Sequence, residues 1–235
     1  MQIKMVLFDL DGTLLPMDQD KFVEVYFGLL AQKLAPHGYE PKKLIGAIGA
    51  GIGAMVKNDG SRTNEEAFWD AFCEIFGDKA RDDLPIFEAF YQNDFVGVKS
   101  VCGFDAQAAQ TVHAIKDRGF RVALATNPLF PAAATQQRIR WAGLEPSDFE
   151  LVTTYEDSRT CKPNPDYYRE VAARLGVQPE ECLMIGNDVG EDMIARSIGM
   201  QVFLLPACLI NKGNADLAQF PHGGFDDLIR FIDGL

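Results

Sequence analysis

A parallel, doubly wound α/β sheet (Rossmann-like) with an inserted all-helical domain is the fold the sequence predicts, and three observations predict it. Short, nearly continuous apolar runs recur along the chain, as strands covered on both faces require. Helix-length segments separate those runs, the alternation that builds a parallel sheet. Between about Lys21 and Phe95 the alternation stops and only helical periodicity remains.

Ile3 to Phe8 is the first strand, ending where Asp9-Leu10-Asp11-Gly12-Thr13 breaks the apolar run. In the insert, Phe22, Val25, Tyr26, Leu29 and Leu30 recur at three- and four-residue steps. A second helix is expected from Lys42 to Lys57. A third begins at Thr63, whose partner Glu66 three residues on completes a capping box. Beyond Val96, Asp105 caps a helix to Arg118, and Arg121 to Thr126 is a strand. Pro131 to Trp141 is helical, Phe149 to Tyr155 a strand, and Asn164-Pro165 opens a helix to Leu175. Cys182 to Ile185 is a strand, Glu191 to Ile198 a helix, Met200 to Leu205 a strand, and Phe225 to Ile232 a closing helix. Residues 1–15 and 96–235 are therefore expected to form an α/β core, and residues 16–95 a helical cap.

With 22 basic and 34 acidic side chains the 235-residue chain carries a formal charge of −12. Such a balance repels polyanions, so neither a nucleic-acid polymer nor an anionic membrane is an expected partner. A small phosphorylated metabolite is not excluded, because local donors or a bound metal can reverse the sign of one site. No apolar stretch is long enough to span a bilayer, and no leader peptide is recognisable. Five scattered cysteines, an odd number without C-x-x-C spacing, suit reduced thiols and a cytoplasmic setting. Nothing marks an obligate protein partner.

In sheets of this class the working residues gather beyond the carboxyl ends of the strands. Asp9 and Asp11 stand past the first strand, Thr126-Asn127 past the second, Lys162 ahead of a helix, and Asp188 and Asp192 past another strand. Each has an ordinary explanation alone: an Asp-Gly turn, a capping turn, a surface lysine, acidic residues at a helix start. Together, several hard oxygens, a hydroxyl with an amide and one lysine describe a magnesium and phosphate site.

These residues resemble the motifs of the haloacid dehalogenase-like hydrolase superfamily. Phe8-Asp9-Leu10-Asp11-Gly12-Thr13 is similar to the first motif, and Thr126, Lys162 and the Asp188/Asp192 pair follow in the order of the other three. The helical insert resembles the cap placed between the first and second motifs. Gly186-Asn187-Asp188 departs from the Gly-Asp of many relatives, which makes Asp188 the ligand and leaves Asp192 either a ligand or a partner of Lys162. The resemblance implies magnesium-dependent hydrolysis of a small phosphate monoester, with Asp9 as nucleophile and Asp11 as general acid/base and carbonyl ligand. It also implies that Thr126 and Asn127 hold phosphoryl oxygens, Lys162 offsets charge, and Asp9, Asp11 and Asp188 hold Mg2+. The alternatives are a phosphomutase acting on a sugar phosphate and a non-catalytic phosphate-binding or phosphoacceptor protein.

Within the insert, Asn58-Asp59-Gly60-Ser61-Arg62 is the polar loop expected to reach over the site, with Arg62 meeting an anionic leaving group. Gly46 to Gly53 lacks a preceding strand and is read as close helix packing or a local break in the cap. His37, His113 and His222 have no companions at metal-ligand spacing. The phenylalanines Phe68, Phe72, Phe76, Phe87 and Phe90 are read as core. Cys161 is read as a small packing residue.

Overall fold

The computed structural model describes residues 2–235. Its sheet has four parallel strands, β1 (Met5–Phe8), β2 (Arg121–Leu124), β3 (Cys182–Gly186) and β4 (Gln201–Leu204), in the order β2-β1-β3-β4. Met5 pairs with Arg121 on one side and Cys182 on the other, so the neighbours of β1 end level with it. Their carboxyl ends therefore open onto one edge.

Alternate residues of β1 enter different cores. Val6 and Phe8 pack with Ile115 of α5 (Ala106–Asp117) and Leu228 of α8 (Phe225–Asp233). Met5 and Leu7 face Tyr167 and Val171 of α7 (Pro165–Leu175) on the other side. Burial on both faces explains why these strands read as unbroken apolar runs.

Between β1 and β2 lie α1 (Gln19–Leu34), α2 (Pro41–Val56), α3 (Asn64–Phe76) and the short α4 (Leu84–Ala89). The expected capping box at Thr63 and Glu66 is present in both directions. Phe72 is fully buried and meets Phe76 at 5.1 Å and Phe87 at 5.6 Å between ring centroids. In the glycine-rich α2, Gly51 is the one with a packing reason: a Cβ there would sit 2.4 Å from the Phe68 ring.

The two crossings between insert and sheet run side by side, with Met17 bridged antiparallel to Cys102 and the Gly103 N–H donating to the Pro16 carbonyl at 2.7 Å. The chain thus returns to the sheet past Cys102. The 3-10 turn Phe95–Val101 packs both against α1 of the insert and against the core helix Ala132–Trp141, where Phe95 stacks on Trp141.

Two elements differ from expectation. Phe149 to Tyr155 is no full strand: it lies along the outer edge of β2 and forms one bridge, Val152 to Leu124. Three backbone hydrogen bonds still tie it there, from Glu150 to Val122, Leu124 to Leu151 and Thr153 to Leu124. The Thr153 hydroxyl turns back to the Thr126 carbonyl (2.7 Å), so its polar group serves the neighbouring loop as the ladder ends. The expected helix from Glu191 is a 3-10 turn, Met193–Ile198, because the preceding residues are held by the Asp188 and Asp192 side chains described below. No helix among the described residues is long and apolar enough to cross a membrane.

Candidate active site

Asp9 stands one residue past β1, with its N–H donating to the Ile185 carbonyl of β3 at 2.9 Å. Its carboxylate is held from two sides. One oxygen accepts from the Lys162 ammonium (2.9 Å), the other from the Thr13 hydroxyl (2.9 Å). Thr13 reaches back because the chain turns at Gly12, whose φ of +88° favours glycine. A Cβ at Gly12 would also lie 2.3 Å from the Asn187 amide nitrogen, so the loops after β1 and β3 interlock there. Asn187 accepts from Thr13 (2.9 Å) and donates to the Cys208 carbonyl (2.6 Å), which makes it a brace between loops.

Lys162 is almost fully buried, far from the surface charge a loop lysine suggests. Burial pulls its pKa down, but Asp192 and Asp9 outweigh that and hold the ammonium well above the ordinary lysine range. Its second partner is Asp192 at 2.6 Å. The other Asp192 oxygen accepts from the Asp188 N–H at 2.9 Å and packs on Gly186, where a Cβ would stand 2.1 Å away. Both Asp192 oxygens are therefore committed within the protein. Burial pushes this carboxyl upward, Lys162 opposes and Asp9 adds to it. Asp188 differs: one oxygen accepts from the N–H groups of Gly190 (2.7 Å) and Glu191 (3.0 Å), and the side chain lines the cavity.

The Asn127 side chain clamps the Lys162 loop, accepting from the Lys162 N–H (3.2 Å) and donating to Glu191 (3.0 Å). Thr126 lies beside it in the cavity wall, its carbonyl accepting from Tyr167 (2.8 Å) and Thr153. Burial, partly offset by Lys162, pushes the Glu191 carboxyl up.

Asp11 lines the same cavity and is paired through one oxygen with Arg138 of α6 (Ala132–Trp141). Its other oxygen is buried without a hydrogen-bond partner. Burial raises the Asp11 pKa, the Arg138 charge lowers it, and Asp9 raises it again, with a net upward shift. Nothing in the sequence singles out Arg138, which stands in a last helical turn where basic residues are ordinary.

The structure thus brings together Asp9, Asp11, Thr126, Asn127, Lys162, Asp188 and Asp192, and leaves Arg62 out. Arg62 is half-exposed, pairs with Asp70 about two turns into α3, and is not part of the cavity wall. Its loop docks on the core beside residues 158–161 instead: Asn64 at the start of α3 donates to the Thr160 carbonyl (3.2 Å) and the Cys161 sulfur (3.3 Å). Among the described residues no three histidines, cysteines or acids close on one point as a metal cage.

The haloacid dehalogenase-like hydrolase family model matches residues 3–197. A phosphoglycolate phosphatase of Nitrosospira multiformis is 28% identical over 205 residues, 87% of this chain and 83% of that one. The pyrophosphatase PpaX of Bacillus pumilus is 24% identical over 199 residues, covering 84% and 80%. Among solved structures, a HAD phosphatase from Thermococcus onnurineus superposes with a TM-score of 0.59 at 20% identity over 99% of both chains. The L-2-haloacid dehalogenase of Xanthobacter autotrophicus superposes with a TM-score of 0.58 at 17% identity over 100% of both chains. By sequence and by fold, the chain is an enzyme of the haloacid dehalogenase-like hydrolase family.

Proposed function

We propose that the protein is a magnesium-dependent phosphatase that hydrolyses a small phosphate monoester through an aspartyl-phosphate on Asp9. The observation that carries this reading is Asp9 itself, fixed by Lys162 and Thr13 beside a second carboxyl with an unpartnered oxygen. Asp9 attacks phosphorus and the bond to the leaving oxygen breaks, with Asp11 supplying the proton that oxygen needs. Water then attacks the phosphoaspartate, Asp11 takes its proton, and inorganic phosphate leaves with Asp9 regenerated. Two displacements of this kind replace one difficult one. The upward pKa shift of Asp11 suits a group that must first be an acid and then a base.

Five acids, Asp9, Asp11, Asp188, Glu191 and Asp192, stand against three cations, Lys162, Arg138 and the exposed Lys212, so negative charge is in excess at the site. Asp9, the free oxygen of Asp188 and the Asp11 carbonyl are the hard, sparse donor set that magnesium takes, with water and phosphate filling its other positions. When bound there, magnesium supplies positive charge for the phosphoryl oxygens. Lys162 neutralises Asp9 and the incoming phosphoryl group, Thr126 lies beside them in the wall, and Asn127 and Asp192 position Lys162.

Relatives named for phosphoglycolate and pyrophosphate hydrolysis support phosphoryl release to water. The helical insert acts as a cap that excludes water and selects the ester. All five cysteines are free, which suits a reducing, cytoplasmic compartment. Incubation with magnesium and a panel of phosphate monoesters tests the reading. Phosphate release is the expected outcome; an isomerised sugar phosphate means a mutase, and neither means a phosphate-binding protein.

A further inference from the structure

The cavity beyond Asp9 and Asp11 has a volume of about 590 Å³, far more than a phosphoryl group fills. Away from the phosphate site its wall is rich in aromatic rings, and its charged groups are mostly acids. Phe22 and Tyr26 of α1, Phe68 and Trp69 of α3, and Tyr91 and Phe130 put aromatic rings on it. The charged groups that the insert adds are carboxylates, Glu65 and Glu88, with Glu156 near Glu65 on the core side. Among the described residues of the wall, the one cation is Lys212. It is an exposed side chain in the segment whose Ile210 bridges to Asp188, on the phosphate side of the cavity.

One buried polar atom of this wall, an oxygen of Glu156, has no partner within the protein. A ligand with its own donor would satisfy it. Burial and the charge of Glu156 hold the Glu65 carboxyl above its usual range, a sign that negative charge is already crowded there. An anionic leaving group would add to that crowding and be desolvated without a counter-charge. An aromatic ring would find faces and edges to pack on, and an ammonium group would find carboxylates and π-faces.

Resting on the phosphatase reading above, we infer that the leaving group is a bulky aromatic or apolar alcohol, neutral or cationic. Esters whose leaving group is itself a carboxylate or a phosphate are poor substrates. This separates the chain from the relatives named for phosphoglycolate and pyrophosphate.

A matched set of primary-alcohol esters tests it: 2-phenylethyl phosphate, its para-aminomethyl and para-carboxymethyl derivatives, and 2-phosphoglycolate, with p-nitrophenyl phosphate as the general phosphatase probe. The neutral and aminomethyl esters should exceed the carboxymethyl ester and phosphoglycolate in kcat/KM by at least about tenfold. In Glu65→Gln the gap between the neutral and carboxymethyl esters should narrow several-fold. Equal or higher kcat/KM for phosphoglycolate, with p-nitrophenyl phosphate still hydrolysed, overturns the inference and spares the phosphatase reading. A gap unmoved in Glu65→Gln overturns the part of the inference that rests on charge. No turnover of any ester, p-nitrophenyl phosphate included, overturns both.

Discussion

The guanidinium of Arg138, 1% exposed, is paired with the carboxylate of Asp11. The phenyl ring of Phe130 roofs it at 4.4 Å and the Thr135 hydroxyl accepts a second N–H at 3.2 Å. One Asp11 oxygen is thereby anchored, and the other is buried without a partner. Removing one partner of a buried pair typically costs about 3–5 kcal/mol, because the other charge stays buried and uncompensated. Arg138→Met should accordingly lower the urea midpoint by a corresponding amount and reduce kcat. Arg138→Lys keeps the charge but loses the fork and should fall between. An Arg138→Met protein with the parent's unfolding midpoint and kcat would show the pair to be incidental.

Asp9→Asn should abolish turnover while leaving a folded protein, since the amide oxygen can still accept from Lys162 and the amide NH2 can donate to the Thr13 hydroxyl oxygen. Asp11→Asn should slow turnover by about 100- to 10,000-fold, the usual loss for one positioned acid–base group. Trapping a phosphorylated peptide that contains Asp9, by rapid quench and mass spectrometry, checks the intermediate. A phosphoryl group found on another residue would remove Asp9 from its role.

Asp188 and Asp192 should separate cleanly. Asp188→Ala should weaken magnesium binding and cost about 1 kcal/mol of stability, since its side chain borders the cavity but also accepts from the Gly190 and Glu191 N–H groups. Asp192→Ala should instead destabilise the protein by about 3–5 kcal/mol, since it strips the buried Lys162 of a partner at 2.6 Å. Titration calorimetry with magnesium and denaturant melts read the two effects independently. Chelation should stop turnover and magnesium restore it, whereas calcium should bind and support little, its looser coordination misplacing Asp9.

Asn64 is fully buried where α3 meets the core, accepting from Asn58 and donating to Thr160 and Cys161. Burial is the main cause pushing the Cys161 thiol up to about 12, so it should resist alkylation at pH 8 in the native protein. Asn64→Ala leaves buried groups unsatisfied and should cost about 1–3 kcal/mol. It should also speed iodoacetamide labelling of Cys161, read by peptide mapping. Unchanged labelling in that variant would mean the contact does not hold α3 to the core.

Much of this was legible in the chain because its causes are local. The strands β1 and β3 are continuous apolar runs, the starts of α3 and α7 are a capping box and an Asn-Pro pair, and the acids stand directly after the strands they follow. Local pattern overreached in two places. The β-branched run at Val152-Thr153-Thr154 reads as a strand, yet at the sheet's outer edge the Thr153 hydroxyl serves the Thr126 loop and the Thr154 hydroxyl donates to Asp157. Arg62 stands in a polar loop able to reach the site, but Asp70, eight residues on, claims it.

The sequence by itself determined the sheet, the helical insert and the order of Asp9, Thr126 and Asp188 past three strands with Lys162 ahead of a helix, since periodicity and turn chemistry act between near neighbours. Only the tertiary structure decided that Lys162 is buried between Asp9 and Asp192, that Arg138 reaches Asp11 across 127 positions, and that aromatic rings and carboxylates of the insert close over them. Charge pairing in a buried site depends on distance and desolvation, and neither is set until separate segments pack against one another.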